Sequence, residues 1–205
     1  KAFLDKPIIA YSIQVALKSK LFDEVIVSTE DKEIAQIAKK YGAMVPFFRT
    51  LKNADDFANL ADVIEEVKES YINKRILFDN ICCILPTSPL LSLENLRKGY
   101  KLLINKNVDS VRPVVRYSYP TQRSIKLTKG KVEFLFPEYA NTRSQDLQAS
   151  YHDAGQFYWM KFKKGMKGVN KYGFEISEFH AQDIDTIEDW KLAEIKFKMI
   201  SQIDE

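Results

Sequence analysis

The sequence predicts an α/β fold, a three-layer sandwich with a mostly parallel sheet. Three observations predict it. Short apolar strand candidates alternate with amphipathic helix candidates along most of the 205 residues. The run Asn80–Leu85 is apolar almost throughout, as expected of a strand covered on both faces. A hydrophobic content of 45% and a charged content of 29% are those of an ordinary globular chain, long enough to bury a core as one domain over residues 1–205.

Each element follows from local pattern. Pro7 to Lys18 carries Ile8, Ile9, Ile13, Ala16 and Leu17 at helical spacing, and Pro7 suits a first helical turn. Glu24 to Ser28 reads as a short buried strand and Val45 to Phe48 as extended. Asp31 to Tyr41 reads as a helix closed by Gly42, and Asp56 to Tyr71 as the next helix. Asn80 to Leu85 is the expected central parallel strand. Leu93 to Ile104 is a helix and Val108 to Val115 a strand.

The alternation breaks over residues 117–147. There Arg123 to Thr128 and Lys131 to Phe136 flank Lys129-Gly130, a β-hairpin signal inserted into the α/β core. Ile125 and Leu127 alternate with polar neighbours, so this hairpin must pack on something: its own domain or another subunit. Gly155 to Phe162 and Phe174 to Phe179 resume as strands, and Glu188 to Ile200 closes the chain as a helix.

Charge and cysteines exclude several classes. Between Arg97 and Lys131 there are ten Lys/Arg residues and one acid, Asp109, a concentration suited to an anionic small molecule. No zinc-finger or RNP signature accompanies it, so nucleic acid is not the expected partner. No apolar run approaches the roughly 18 residues of a membrane span. Adjacent Cys82 and Cys83 point to opposite faces of a strand and read as reduced core thiols of a cytoplasmic protein.

The chemistry concentrates at three loops that follow strands, where ligands bind in open α/β sheets. They are Ser28-Thr29-Glu30-Asp31, Pro86-Thr87-Ser88-Pro89, and the segment carrying Asp183 and Asp185. Two carboxylates at i and i+2 of an extended segment share a face and can converge on a hard cation such as Mg²⁺. Thr186 with Asp189 also fits a helix capping box, which leaves Asp183 without a structural task.

The chain resembles the acylneuraminate cytidylyltransferases, or CMP-sialic acid synthetases. The resemblance rests on an ordered set of motifs. These are Lys6-Pro7-Ile8-Ile9-Ala10-Tyr11, Val27-Ser28-Thr29-Glu30-Asp31, Tyr41-Gly42-Ala43, Arg49, Ala54-Asp55-Asp56, Leu85-Pro86-Thr87-Ser88-Pro89-Leu90, Arg143-Ser144-Gln145-Asp146-Leu147 and Asp183-Ile184-Asp185-Thr186. Asn141 to Leu147 and Tyr151 to Gly155 look most like the pseudaminic acid branch. Leu85 stands where the sialic acid branch usually has Gln, whereas Pro86-Thr87-Ser88-Pro89 looks more like that branch.

The resemblance implies a Rossmann-like nucleotidyltransferase that moves CMP from CTP to a nine-carbon sugar acid and releases pyrophosphate. Pseudaminic acid is the first candidate substrate, with N-acetylneuraminate or legionaminate as alternatives. It implies Asp183 and Asp185 as catalytic metal ligands for Mg²⁺. Arg49, Asp56, Ala58, Thr87 and Ser88 fall on the nucleotide side. Arg123, Arg143, Gln145 and Tyr151 fall on the sugar side, where an Arg fork suits a carboxylate. It also implies a homodimer with the hairpin as its dimerisation arm. The family opens with a strand and a phosphate-binding loop that this sequence lacks, since it begins at Lys1 where that loop would end. Truncation is the expectation, and a catalytically dead binding protein on the same fold is the alternative.

Overall fold

The computed structural model describes residues 1–54 and 58–203. The chain opens with two minimal strands, β1 (Ala2–Phe3) and β2 (Lys6–Pro7), paired antiparallel. Helix α1 (Ile8–Ser19) follows Pro7 directly and ends at Lys20 in the left-handed region. Helix α2 (Lys32–Lys40) starts because the Asp31 carboxylate accepts from the Glu33 and Ile34 amides at 2.6 and 3.1 Å. The chain turns out of α2 at Gly42, whose φ of +95° explains the glycine there.

Helix α3 (Leu60–Asn73) is capped by Asn59, later than the expected start at Asp56, which lies outside the described residues. Strand β3 (Asn80–Ile84) leads to α4 (Leu93–Lys106), capped by Ser92. Then come β4 (Ser110–Arg116), the hairpin strands β5 (Ile125–Thr128) and β6 (Lys131–Phe134), and β7 (Tyr151–Asp153). Strands β8 (Phe157–Lys161) and β9 (Lys171–Glu175) and helix α5 (Ile187–Ile203) complete the chain.

Helices cover both faces of β3, as the three-layer expectation requires. Ile81 packs with Val67 and Tyr71 of α3, while Cys82 and Ile84 face Leu96 and Leu103 of α4. Trp159 anchors the second layer. It stacks on Phe22 at 5.0 Å between ring centres, and its indole N–H donates to the Leu96 carbonyl. No helix among the described residues is long and apolar enough to cross a membrane.

The sheet itself is mixed. Strand β9 runs parallel to β4, but β8 runs antiparallel to both β3 and β4. An apolar run such as Phe157-Tyr158-Trp159-Met160 says that a strand is buried, not which way it points. Direction was set by the excursion through the hairpin, which leaves β4 at Arg116 and re-enters the sheet beside it at Tyr151, at the same end. Two expected strands shrink to a single parallel bridge, Ile26 with Met44. The Val27 amide bonds the Met44 carbonyl and the Met44 amide bonds that of Val25. The next donor in that ladder would be residue 46, and Pro46 has no N–H to give. The strand expected over Phe174 to Phe179 instead starts at Lys171 and stops at Glu175, because Ser177 caps a short 3-10 turn, Glu178–His180.

Strands β7 and β8 form one interrupted strand along β4. Val114 opposes Asp153, whereas Val111 opposes Trp159, so three steps on β4 match six on its neighbour. The surplus, Ala154-Gly155-Gln156, bulges out at the carboxyl end of β3, with Gly155 at φ +62°. The hairpin forms in the expected register about Lys129 and Gly130, both at positive φ, as a type I′ turn requires. Cross-strand pairs Ile125–Phe134 and Leu127–Val132 share one face of it. All four remain exposed, so the chain's own core does not cover them.

Candidate functional site

The carboxyl ends of β3, β4 and β9 share one edge with the amino end of β8, where Ile84 opposes Phe157. The Pro86–Pro89 loop and the Asp pair meet there across the bulge. The Ser88 hydroxyl donates to the Gly155 carbonyl at 3.1 Å, and the Leu85 amide bonds Gln156 O at 2.8 Å. A Cβ built on Gly155 would have Asp183 Oδ1 as its nearest neighbour, at 3.9 Å. Ser88 is buried and its hydroxyl is spent on that backbone bond, whereas Thr87 faces solvent.

Asp183 and Asp185 do not lie in a regular strand, but their side chains alternate as in one. Both are exposed, and Ile184 between them turns inward toward Phe3, Tyr11 and Trp190. The capping box exists as read. Thr186 N donates to Asp189 Oδ2 at 2.9 Å, and Asp189 N donates to Thr186 Oγ1 at 3.2 Å. Hydrogen bonds from Thr186 hold the Asp189 carboxyl below the usual range. That assignment of tasks leaves both other carboxylates unused. Among the described residues, no hydrogen bond or ion pair engages the Asp183 or Asp185 carboxylate. No cluster of three or more His, Cys, Asp or Glu side chains gathers among the described residues either. Two uncommitted oxygen ligands, with the rest of the shell left to water and phosphate, are the donor set that suits Mg²⁺.

On the nucleotide side, Arg49 is fixed to the loop after the Ile26 bridge. Its guanidinium donates to Ser28 O and to Ser28 Oγ, and it lies 3.9 Å from Glu30. Burial pushes the Cys83 thiol of β3 up to about 12, with Arg49 opposing the rise. Both cysteines are free, and burial pushes the Cys82 thiol up as well. Ala58 is half-buried just before α3, and Asp56 lies outside the described residues.

Of the sugar-side candidates, Gln145 lines a cleft of about 530 Å³ together with Arg116, Tyr117, Ser144, Glu175 and Glu178 among others. Arg123, at the hairpin base, donates to Ser144 Oγ at 3.4 Å. Tyr151 sits opposite Arg116 in the β4–β7 register, and its hydroxyl bonds Glu175, which raises its pKa. Arg143 is the outlier. It is 72% exposed, and both arms of its fork hold its near neighbour Asp146, at 2.8 and 3.3 Å. Sequence reasoning missed Glu175, Gln156 and Lys196. Only Lys196 left a signal, a cation on the inward stripe of α5 with Ala193 and Phe197.

Comparison with known proteins adds to this geometry. A family model described as cytidylyltransferase matches residues 1–195. Pseudaminic acid cytidylyltransferase of Campylobacter jejuni subsp. jejuni serotype O:2 is 36% identical over 203 residues, covering 96% of this chain and 88% of that protein. N-acylneuraminate cytidylyltransferase A of Danio rerio is 31% identical over 92% of this chain and 44% of its own length. Among solved structures, a CMP:2-keto-3-deoxy-manno-octonic acid synthetase complexed with CTP superposes with a TM-score of 0.63 at 11% identity. It covers 98% of this chain and 91% of its own. At that identity the likeness is one of fold.

Proposed function

The chain belongs to the cytidylyltransferase family, and we propose from that premise that it transfers CMP from CTP to a nonulosonic acid, with pseudaminic acid as the preferred acceptor. The observation that carries the reading is the uncommitted Asp183/Asp185 pair beside the Gly155 bulge. The anomeric hydroxyl of the sugar acid attacks the α-phosphorus of CTP, its proton leaves to solvent or base, and the bond to pyrophosphate breaks. Asp183 and Asp185 would hold Mg²⁺, which neutralises charge on the phosphate oxygens when bound.

The remaining residues orient and discriminate. Ser88 fixes the bulge, and Thr87 beside it faces the solvent where a nucleotide would lie. Arg49 stiffens the Ser28–Asp31 loop on the cytidine side. Gln145 lines the cleft for the sugar, Tyr151 and Arg123 adjoin it through Glu175 and Ser144, and a substrate carboxylate would compete with Asp146 for the Arg143 fork.

The exposed hairpin face supports a homodimer. Four apolar side chains on one side of a two-stranded ribbon are stable in water only when covered, and a C2 partner offers the same face in return. Arg123 at the hairpin base would then lie close to the subunit boundary. Reduced Cys82 and Cys83 suit a cytoplasmic setting.

The test is a parallel pyrophosphate-release assay with CTP and Mg²⁺ and three acceptors: pseudaminic, legionaminic and N-acetylneuraminic acid. The proposal predicts the highest kcat/KM for pseudaminic acid. A clear preference for N-acetylneuraminic acid would reverse the substrate assignment, and no release by the full-length protein with any of them would reject the activity.

A further inference from the structure

The segment that delivers Asp183 is held from beneath by two side chains. Lys196 of α5 reaches up from the inward stripe and donates to three acceptors: Ala181 O at 2.8 Å, Glu178 O at 3.1 Å and Gln182 Oε1 at 3.1 Å. An ammonium has three donors, and here each has its own acceptor. Gln156, only 2% exposed and part of the bulge, donates its amide to the His180 carbonyl. Gln182 passes the grip forward. Its own amide reaches the Asp183 carbonyl at 3.0 Å and Asp189 Oδ1 at 3.2 Å.

We infer that Lys196 and Gln156 are positioning residues that set the Asp183/Asp185 loop for cation binding, an inference that rests on the reading of those carboxylates as metal ligands. Three features favour this over simple packing. Burial lowers the pKa of the Lys196 ammonium, so its place is unfavourable for a charge unless the contacts it makes matter. The Gln156 side-chain oxygen has no partner among the described residues, so the side chain keeps its amide bond to the His180 carbonyl at the cost of a buried, unpaired acceptor. The carbonyls they hold, at Glu178, His180 and Ala181, span the turn between the cleft-lining Glu178 and Asp183. Side chains of this kind govern metal affinity from outside the ligand shell, because they fix where the ligands point.

Lys196→Met keeps the aliphatic stem and removes the donors. Gln156→Leu keeps the volume and removes the orphan oxygen together with the amide. The readouts are Mn²⁺ affinity by electron paramagnetic resonance with CTP and no acceptor, and amide hydrogen exchange over residues 181–186. Both variants should bind Mn²⁺ about 10-fold or more weakly, the scale of such outer contacts. Exchange should rise in that segment and stay unchanged in β3. Lys196→Arg should recover part of the affinity. Asp183→Asn runs in parallel. If Asp183→Asn binds Mn²⁺ like the wild type, the ligand assignment fails. If it loses Mn²⁺ while Lys196→Met and Gln156→Leu keep wild-type affinity, the positioning inference alone is overturned.

Discussion

Leu127→Asp isolates the hairpin's role. Leu127 is 71% exposed in the single chain, on the same face as Ile125, Val132 and Phe134. Covering that exposed fraction against a partner should contribute about 1.5 kcal/mol, given about 1.5–3 kcal/mol for a whole leucine. A C2 interface counts the residue twice, so removal costs about 3 kcal/mol, or about 100-fold in dimer Kd. The figure is a lower bound, since the new carboxylate must also lose water. The folded monomer loses little, because Leu127 touches its own chain mainly through the Val132 pair, worth about 0.2–1 kcal/mol. Sedimentation velocity across a dilution series measures the dissociation constant, and chemical denaturation of dilute protein measures the monomer. A wild-type chain that stays monomeric at micromolar concentration would refute the reasoning. So would a variant that dimerises normally but unfolds far more easily.

Two further outcomes follow from local geometry. Gly155→Ala meets no steric overlap, since the nearest atom to the new Cβ is 3.9 Å away, so only the φ of +62° matters. A loss of about 1 kcal/mol is expected in urea denaturation, and a much larger loss would mean that the bulge is packed more tightly than its geometry allows. Glu66 pins the 50–53 turn beside Arg49. Burial raises its pKa, but hydrogen bonds from the Thr50 amide, the Asn53 amide group and the Thr50 hydroxyl lower it further, with a net fall. A depressed carboxyl stabilises the fold fully above its unfolded value, near 4.3, and loses that contribution as pH falls through the folded value. Thr50 amide exchange should therefore accelerate relative to a reference amide as pH falls below the unfolded value and through the depressed folded one. Glu66→Gln should be fast at neutral pH already, and an unchanged Thr50 amide in that variant would discount the carboxylate.

What the sequence disclosed was local. Asp31 and Gly42 marked both ends of one helix, Lys129-Gly130 placed the hairpin turn, and Thr186 with Asp189 closed a capping box. Each is chemistry among residues a few positions apart. Strand direction was not legible, because β8 looks the same forwards and backwards. Nor was the bulge at Ala154–Gln156, which exists because β7 and β8 pair with the same strand, β4, in registers three residues apart. The site divided the same way. Asp183 and Asp185 stood out by spacing, but the Arg143 fork turned to Asp146, a carboxylate three residues away that a motif cannot weigh against a ligand. Lys196 reaches its acceptors over 14 to 18 positions of chain, so no window of sequence connects them.

The most direct test of the account is pyrophosphate release by Asp183→Asn with CTP, Mg²⁺ and pseudaminic acid. The side chain is exposed and the described residues give it no bond to lose, so circular dichroism and melting temperature should match the wild type. Turnover should fall by at least about 100-fold, the upper end of what even outer contacts of a metal site cost. A folded Asp183→Asn chain that turns over like the wild type would contradict the account at its centre.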